Sequence, residues 1–390
     1  MFFSISSSAD PCFPNRHNHG FAFFNCDNGW TLNTTKCGTV YAKGYADSVP
    51  LTNLINHFDQ ASEYTGNFCL IRFRDTVEIK HSKTRSFPLR YNTQQVTNLY
   101  TGQDIWADSQ VTIDQLWKIS TSPLQLDLSV DQESLTLDQA ELAIFDLLTK
   151  QTQKFLTHCP VNLQLFVTGG LDTLLLYALL VNSKQSFTLL PVVDHYESDS
   201  FTDNAQDYLR KFWAYQQINH WNKPAWLATG SCGDEYLLRG PATIAMLTAW
   251  HDINFAELLQ QNPNAYHYRH FSKYADLWMD TWNNRDQIKS QYPTRESLNR
   301  QILNILVNDH QHWHLGNTLT WTPFNNIDLV KILLRCDINE LIPQFIDGRL
   351  SKNIISKIDN RLLTSLSQYK NYNRQENLSK LLEYHAKKFQ

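Results

Sequence analysis

Hydrophobic positions along this chain follow two regimes. Up to residue 135 they fall in short alternating runs, the signature of strands with one buried face. Phe21 to Asn25, Trp30 to Thr34, Thr39 to Tyr45, Phe68 to Phe73, Val77 to His81 and Leu89 to Tyr91 read this way. Asp27-Asn28-Gly29, between the first two runs, predicts a hairpin turn. Leu51 to Tyr64 has helical spacing instead, with Leu51, Leu54, Ile55 and Phe58 on one face.

From Thr136 the period changes. Thr136-Leu137-Asp138-Gln139 is a capping-box helix start, and Leu137, Ala140, Ile144, Leu147 and Leu148 form the apolar stripe that follows. Leu163 to Val167 predicts a strand, Leu174 to Leu180 a helix and Phe187 to Val193 a second strand. Ala205 to Gln217 reads as helix and Ala225 to Thr229 as a third strand. After Gly240 the runs Thr243 to Ala249, Phe255 to Leu259, Tyr274 to Trp282 and Arg295 to Val307 are helical. The prediction is an α/β chain. A β-rich α+β domain spans 1–135, and a doubly wound parallel-sheet domain with a helical C-terminal part spans 136–390.

Candidate chemistry sits where the strands of the second domain end. Val167 leads into Thr168-Gly169-Gly170-Leu171-Asp172-Thr173, and the third strand into Thr229-Gly230-Ser231-Cys232-Gly233-Asp234-Glu235. A strand, a Gly-rich turn and a helix start make an anion site, because glycine lets the backbone approach a ligand and free N–H groups point at it. Thr168 and Thr173 add hydroxyl donors. Asp172 would repel phosphate unless a divalent cation stands between them, which makes Asp172 and Asp234 candidate metal ligands. Neither the Walker loop nor the G-x-G-x-x-G fingerprint is present. Ligands of such sheets lie beyond the carboxyl ends of the strands, so both turns are expected on one crevice.

Composition narrows the partners. With 42% hydrophobic and 18% charged residues the chain is globular, and a net charge of −4 gives no basic footprint for nucleic acid. No apolar run has membrane-spanning length, and the first residues lack the basic region of a signal peptide. Seven cysteines without a C-x-x-C pair favour reduced thiols in a cytoplasmic setting. His310, His312 and His314 would share a face on a strand, but no acidic or cysteine partner accompanies them, so solvated or pocket-lining histidines are the simpler reading. Tyr266 to His270 reads as packing aromatics, and Lys380, Lys387 and Lys388 as a solvated helix end.

The two Gly-rich turns resemble the nucleotide motifs of the asparagine synthetase family, Ser-Gly-Gly-Leu-Asp-Ser and Thr-Gly-Glu-Gly-x-Asp-Glu. Trp321-Thr322-Pro323-Phe324-Asn325-Asn326-Ile327-Asp328-Leu329-Val330 resembles a third segment of that family, which opens a helix beside the substrate pocket. Leu350-Ser351-Lys352-Asn353-Ile354-Ile355 resembles a fourth, whose lysine reaches the phosphates. Upstream, Gly66-Asn67-Phe68-Cys69-Leu70 and Arg85-Ser86-Phe87-Pro88-Leu89-Arg90-Tyr91 resemble the back half of the family's glutaminase domain.

The resemblance implies an N-terminal domain of the N-terminal-nucleophile (Ntn) type and an ATP-pyrophosphatase domain, with ATP and Mg2+ bound. It assigns ATP contacts to Val167, Thr168, Gly169, Gly170, Asp172, Thr173, Val193, Thr229 and Gly230. Metal binding falls to Asp172 and Asp234, and catalysis to Lys352, Asp172, Asp234 and Glu235. Two departures qualify it. Phe2 stands where family glutaminases carry their nucleophilic cysteine, so glutaminase activity is expected to be lost, with Cys12 and Cys26 read as structural. Ser231 stands where the family has a glutamate tied to ammonia handling, which leaves Glu235, His195, His312 or His314 to take the proton.

The expected activity is an AMP- and pyrophosphate-forming amide ligase joining a carboxylate to an amine of a small molecule or peptide. Peptide tailoring or secondary metabolism is the expected setting, as in lasso peptide cyclases and β-lactam synthetases, with a biosynthetic partner enzyme compatible and nucleic acid or membrane not expected. The alternatives are an ammonia-using asparagine synthetase and a nucleotide-binding pseudoenzyme.

Overall fold

A computed structural model describes residues 3–6, 8–9, 13, 15–26, 30–36, 38–46, 49–64, 66–81, 89–91, 95–97, 103–105, 110–113, 117–121, 127–131, 133–158, 163–167, 169–191, 226–230, 232–263, 271–308, 320–365 and 374–388. The fold is mixed α/β, with an antiparallel β region first and a helical region last.

Alternation of buried positions builds the N-terminal region. Strands β1 (Phe3–Ser6), β2 (Asn15–Asn18), β3 (Phe23–Cys26), β4 (Thr31–Thr35), β5 (Gly38–Ala46), β6 (Gly66–Phe73) and β7 (Val77–His81) are followed by five short ones. These are β8 (Leu89–Tyr91), β9 (Gln95–Thr97), β10 (Gln103–Ile105), β11 (Gln110–Ile113) and β12 (Trp117–Thr121). They form two six-stranded sheets, ordered β10-β8-β9-β1-β3-β2 and β11-β12-β7-β6-β5-β4. Phe3, Ile5, Phe24 and Cys26 of the first sheet share one core with Tyr41, Cys69, Ile71, Phe73, Val77 and Ile79 of the second. The opposite face of β5 and β6 is covered by helix α1 (Leu51–Asn56) and the 3-10 turn Phe58–Glu63, through Leu54, Ile55 and Phe58. The helical face expected over Leu51 to Tyr64 is therefore present, tightened to a 3-10 turn in its second half.

The hairpin expected at Asp27-Asn28-Gly29 does not form. β3 pairs with β1 and β2, whereas β4 pairs with β5 in the other sheet. The chain crosses between the sheets here because both flanks carry aromatic core residues: Phe24 and Trp30 meet edge to face, with centroids 5.0 Å apart. The hairpin lies earlier, with Asn15–Asn18 on Phe23–Cys26. Its turn uses Gly20 at φ +83, with the Gly20 N–H donating to Asn18 Oδ1 at 2.8 Å.

The second region opens on helix α2 (Leu137–His158). Its capping box is reciprocal: the Gln139 N–H donates to Thr136 Oγ1 at 3.3 Å and the Thr136 N–H to Gln139 Oε1 at 2.9 Å. Leu137, Ala140, Ile144 and Leu148 are buried and Leu147 half-buried, as the stripe predicts. Among the described residues four strands follow: β13 (Leu163–Val167), β14 (Thr188–Pro191), β15 (Trp226–Ala228) and β16 (Thr320–Trp321). They make one sheet ordered β14-β13-β15-β16, every pairing parallel. From β13 the chain first steps outward to β14, then returns past β13 to β15 and on to β16. Among the described strands the order therefore reverses between β13 and β15, and in sheets of this kind the carboxyl ends of such a pair are where ligands bind.

Helix α3 (Leu171–Asn182) starts three residues earlier than its apolar run suggests and is buried along most of its length. Then come α4 (Gly233–Tyr236), α5 (Pro241–Trp250), α6 (Phe255–Gln261), α7 (Phe271–Asn283), α8 (Arg285–Gln291) and α9 (Arg295–Asn308). After β16 follow α10 (Ile327–Leu333), α11 (Ile338–Asp347), α12 (Arg349–Asp359) and α13 (Arg374–Lys388). The helix expected over Ala205 to Gln217 lies outside the described residues. Among the described residues, no helix is long and apolar enough to cross a membrane.

Candidate functional site

Both Gly-rich turns follow the carboxyl ends of the pair at which the order reverses, β13 and β15. Val167 ends β13 fully buried, Gly169 turns the chain at φ +70, and Gly170 forms the extended N-cap of α3. Gly170 brings no capping side chain of its own, and Asp172 and Thr173 stand in the first turn of the helix. From the C-terminal end, Asn377 Nδ2 of α13 donates to the Gly169 carbonyl at 3.5 Å.

The second turn packs onto the first with no room for side chains. A Cβ on Gly230 would stand 2.7 Å from Thr173 N and 2.9 Å from the Asp172 carbonyl carbon. A Cβ on Gly233 would stand 2.6 Å from Asp172 Oδ1. Gly230 is thus required by the backbone of the first turn and Gly233 by the Asp172 side chain. Thr229 is held from the far side, its N–H donating to the Trp321 carbonyl at 2.9 Å. Thr173 and Thr229 are buried. Asp234 and Glu235 occupy α4, which Cys232 enters at φ +69, a left-handed conformation rare outside glycine.

Arg239 is the residue that sequence reasoning missed. Its side chain is 0% exposed, and Nη2 donates to Asp172 Oδ1 while lying 3.1 Å from Asp234 Oδ1. Asp172 is 14% exposed and Asp234 39%, so the second carboxylate is the one that opens to solvent. The signal was a single charge inside the apolar run Tyr236-Leu237-Leu238-Arg239-Gly240-Pro241, which must find a counter-charge when buried.

Lys352 reaches the same end of the crevice on α12. Its Nζ donates to Asp347 Oδ1 at 2.6 Å. Burial pulls the ammonium below the usual lysine range against the opposing pull of Asp347, and the positive charge of Arg239 lowers it further. Gly348 joins the two cations: it turns at φ +63, and a Cβ there would stand 3.3 Å from Arg239 Nη1. Gln344 stitches the assembly from inside, donating to the Leu237 carbonyl and accepting from the Leu350 N–H, each at 2.9 Å.

Asp172, Asp234, Lys352, Gly169, Gly170, Thr173, Thr229 and Gly230 are thus brought together, with Glu235 in the same turn as Asp234. Thr168, Val193, Ser231, His195, His310, His312, His314 and the run Tyr266 to His270 lie outside the described residues. Among the described residues no three His, Cys, Asp or Glu side chains converge as a ready-made metal cage. Two carboxylates drawn to one guanidinium still suit Mg2+, which commonly takes one or two carboxylates and completes its shell with substrate phosphates and water. Of the C-terminal lysines, Lys388 pairs with Asp359 at 3.3 Å and Lys380 with Glu376 at 2.5 Å.

Compared with known proteins, the chain matches no family model and no curated protein in sequence.

Proposed function

We propose that the chain is an ATP-dependent amide ligase that adenylates a substrate carboxylate, releases pyrophosphate and couples the acyl group to an amine. The reading rests on the two Gly-rich turns packed together where the strand order reverses, with Gly230 against the Thr173 backbone and Gly233 against the Asp172 side chain. A Gly-rich turn leading into a helix at that place suits a pyrophosphate leaving group better than a side-chain substrate.

In this reading the Gly-rich turn at the start of α3 holds the phosphates of the substrate ATP, and Asp172 and Asp234 would hold the Mg2+ that offsets their charge. The substrate carboxylate attacks the α-phosphorus, the bond to the bridging oxygen breaks, and pyrophosphate leaves. Lys352 meets the charge that develops on the departing group, while Asp347 keeps its ammonium charged despite burial. An amine then attacks the acyl-adenylate and AMP leaves. Glu235 or a histidine accepts the proton, because Ser231 supplies no base.

The N-terminal two-sheet region, with a helix on one outer face, is read as an Ntn-like domain without glutaminase activity. Its described cysteines are buried, and burial pushes the Cys69 thiol up, away from the thiolate a nucleophile needs. Pyrophosphate release from ATP across a panel of carboxylates, amines and precursor peptides tests the reading. Release with a matched pair supports it, and ATP binding without release from any pair favours the pseudoenzyme.

A further inference from the structure

Arg239 is an unusual residue to bury. It carries a full charge at 0% exposure, and a well-packed hydrophobic side chain of its volume would hold the fold as well or better, so stability alone gives no reason for it. The chain also accepts strain to deliver it. Leu238, just before it, holds φ +54, and Cys232, just before α4, holds φ +69. Non-glycine residues in this conformation persist only where their surroundings over-determine them. The Arg239 N–H returns to the Asp234 carbonyl at 2.5 Å, which ties the start of the side chain to the carboxylate-bearing turn. Gly348 leaves room for Nη1, and Gln344 fixes the adjoining Leu237 carbonyl to the start of α12.

We propose that Arg239 is a resident cation of the crevice: it fixes Asp172 and Asp234 side by side and cancels enough of their charge that they bind a free divalent ion poorly. That ion then enters together with the phosphates of the nucleotide. The proposal rests on the reading of Asp172 and Asp234 as divalent ligands and makes Arg239 a positioning residue acting through them. With Arg239 present the two carboxylates carry a net charge of one unit rather than two, whereas the Lys352 charge is offset by its own partner Asp347. A lone metal ion therefore gains little, whereas metal already carried by triphosphate brings its own counter-charge.

Mn2+ titration of the full chain, read by the paramagnetic resonance of the free ion, tests this without turnover. Wild type should leave Mn2+ free up to about 1 mM, and with ATP present it should retain Mn2+ on ultrafiltration beyond a protein-free Mn2+–ATP control. Arg239→Gln should bind Mn2+ alone about tenfold or more tighter than wild type, because a competing unit charge has gone. A merely structural arginine would give the opposite, since losing it would loosen the carboxylates and weaken binding. Micromolar Mn2+ binding by wild type without nucleotide overturns the proposal, as does a folded Arg239→Gln protein with unchanged or weaker affinity. Should Arg239→Gln fail to fold, the wild-type titration still decides. If wild type takes up no Mn2+ even with ATP, the ligand reading falls and the proposal with it. Uptake with ATP but no gain in the variant removes the proposal alone.

Discussion

Gly233 and Asp172 touch across sixty residues of sequence: the Gly233 Cα rests on the Asp172 side chain, and a Cβ there would lie 2.7 Å from the Asp172 Cβ and 2.6 Å from Oδ1. Neither atom is the far end of a long flexible chain, so a methyl group can be fitted only by parting the two turns. Gly233→Ala should cost about 2–3 kcal/mol of stability by overpacking and reduce ATP affinity, read by thermal melts with and without ATP–Mg. A variant as stable as wild type, with unaltered nucleotide response, would mean the turns are free to separate.

Asp172 and Asp234 should separate stability from ligand binding. Asp172 is largely buried and leaves the Arg239 guanidinium poorly compensated when neutralised, so Asp172→Asn should cost about 3 kcal/mol or more in urea unfolding. Asp234 is 39% exposed, and Asp234→Asn should cost under about 1 kcal/mol. Both should weaken metal-dependent ATP binding, since each removes a carboxylate from the divalent site. Unchanged binding in both variants would locate the metal elsewhere.

Lys352→Ala should lower turnover about a hundredfold or more while leaving ATP affinity nearly intact, because its charge serves the transition state. Asp347→Asn gives the finer test. Asp347 holds the Lys352 pKa up against burial, so its loss lets that pKa fall further. The alkaline limb of the pH–rate profile, set by loss of the lysine proton, should move to lower pH. A limb that stays in place would detach Lys352 from the rate.

The N-terminal region should be acid-sensitive through His19, which stacks on Phe73 with centroids 4.0 Å apart and shares a 3.0 Å hydrogen bond with the Tyr41 hydroxyl. Burial first, and then His17, push its pKa down to about 4 from 6.5. The unfolded chain therefore binds a proton that the folded chain refuses, and stability falls as pH drops from 6.5 toward about 4. Because His19 is only partly buried, the loss should be about 1–2 kcal/mol, and His19→Gln should flatten it. An equally steep decline in that variant would assign the acid sensitivity to other groups.

How much of this was legible in sequence depended on range. The capping box at Thr136 and Gln139 is local and formed as read. The glycines at 230 and 233 mark close approach and Gly169 a left-handed turn, demands that show in residue identity itself. The Asp27-Asn28-Gly29 hairpin failed because a turn signal specifies a reversal but not which sheet each strand joins; that was decided by Phe24 and Trp30 packing between sheets. β16 is only two residues long, too short to show a period. Arg239 was passed over because its partners lie in separate turns, and only the fold reveals which carboxylates share its charge.

The nucleotide left after turnover tests the central claim most directly. ATP labelled in the α-phosphate, incubated with the protein, Mg2+ and a matched carboxylate and amine, should yield labelled AMP in step with pyrophosphate and amide. Labelled ADP with free phosphate would contradict the adenylating crevice.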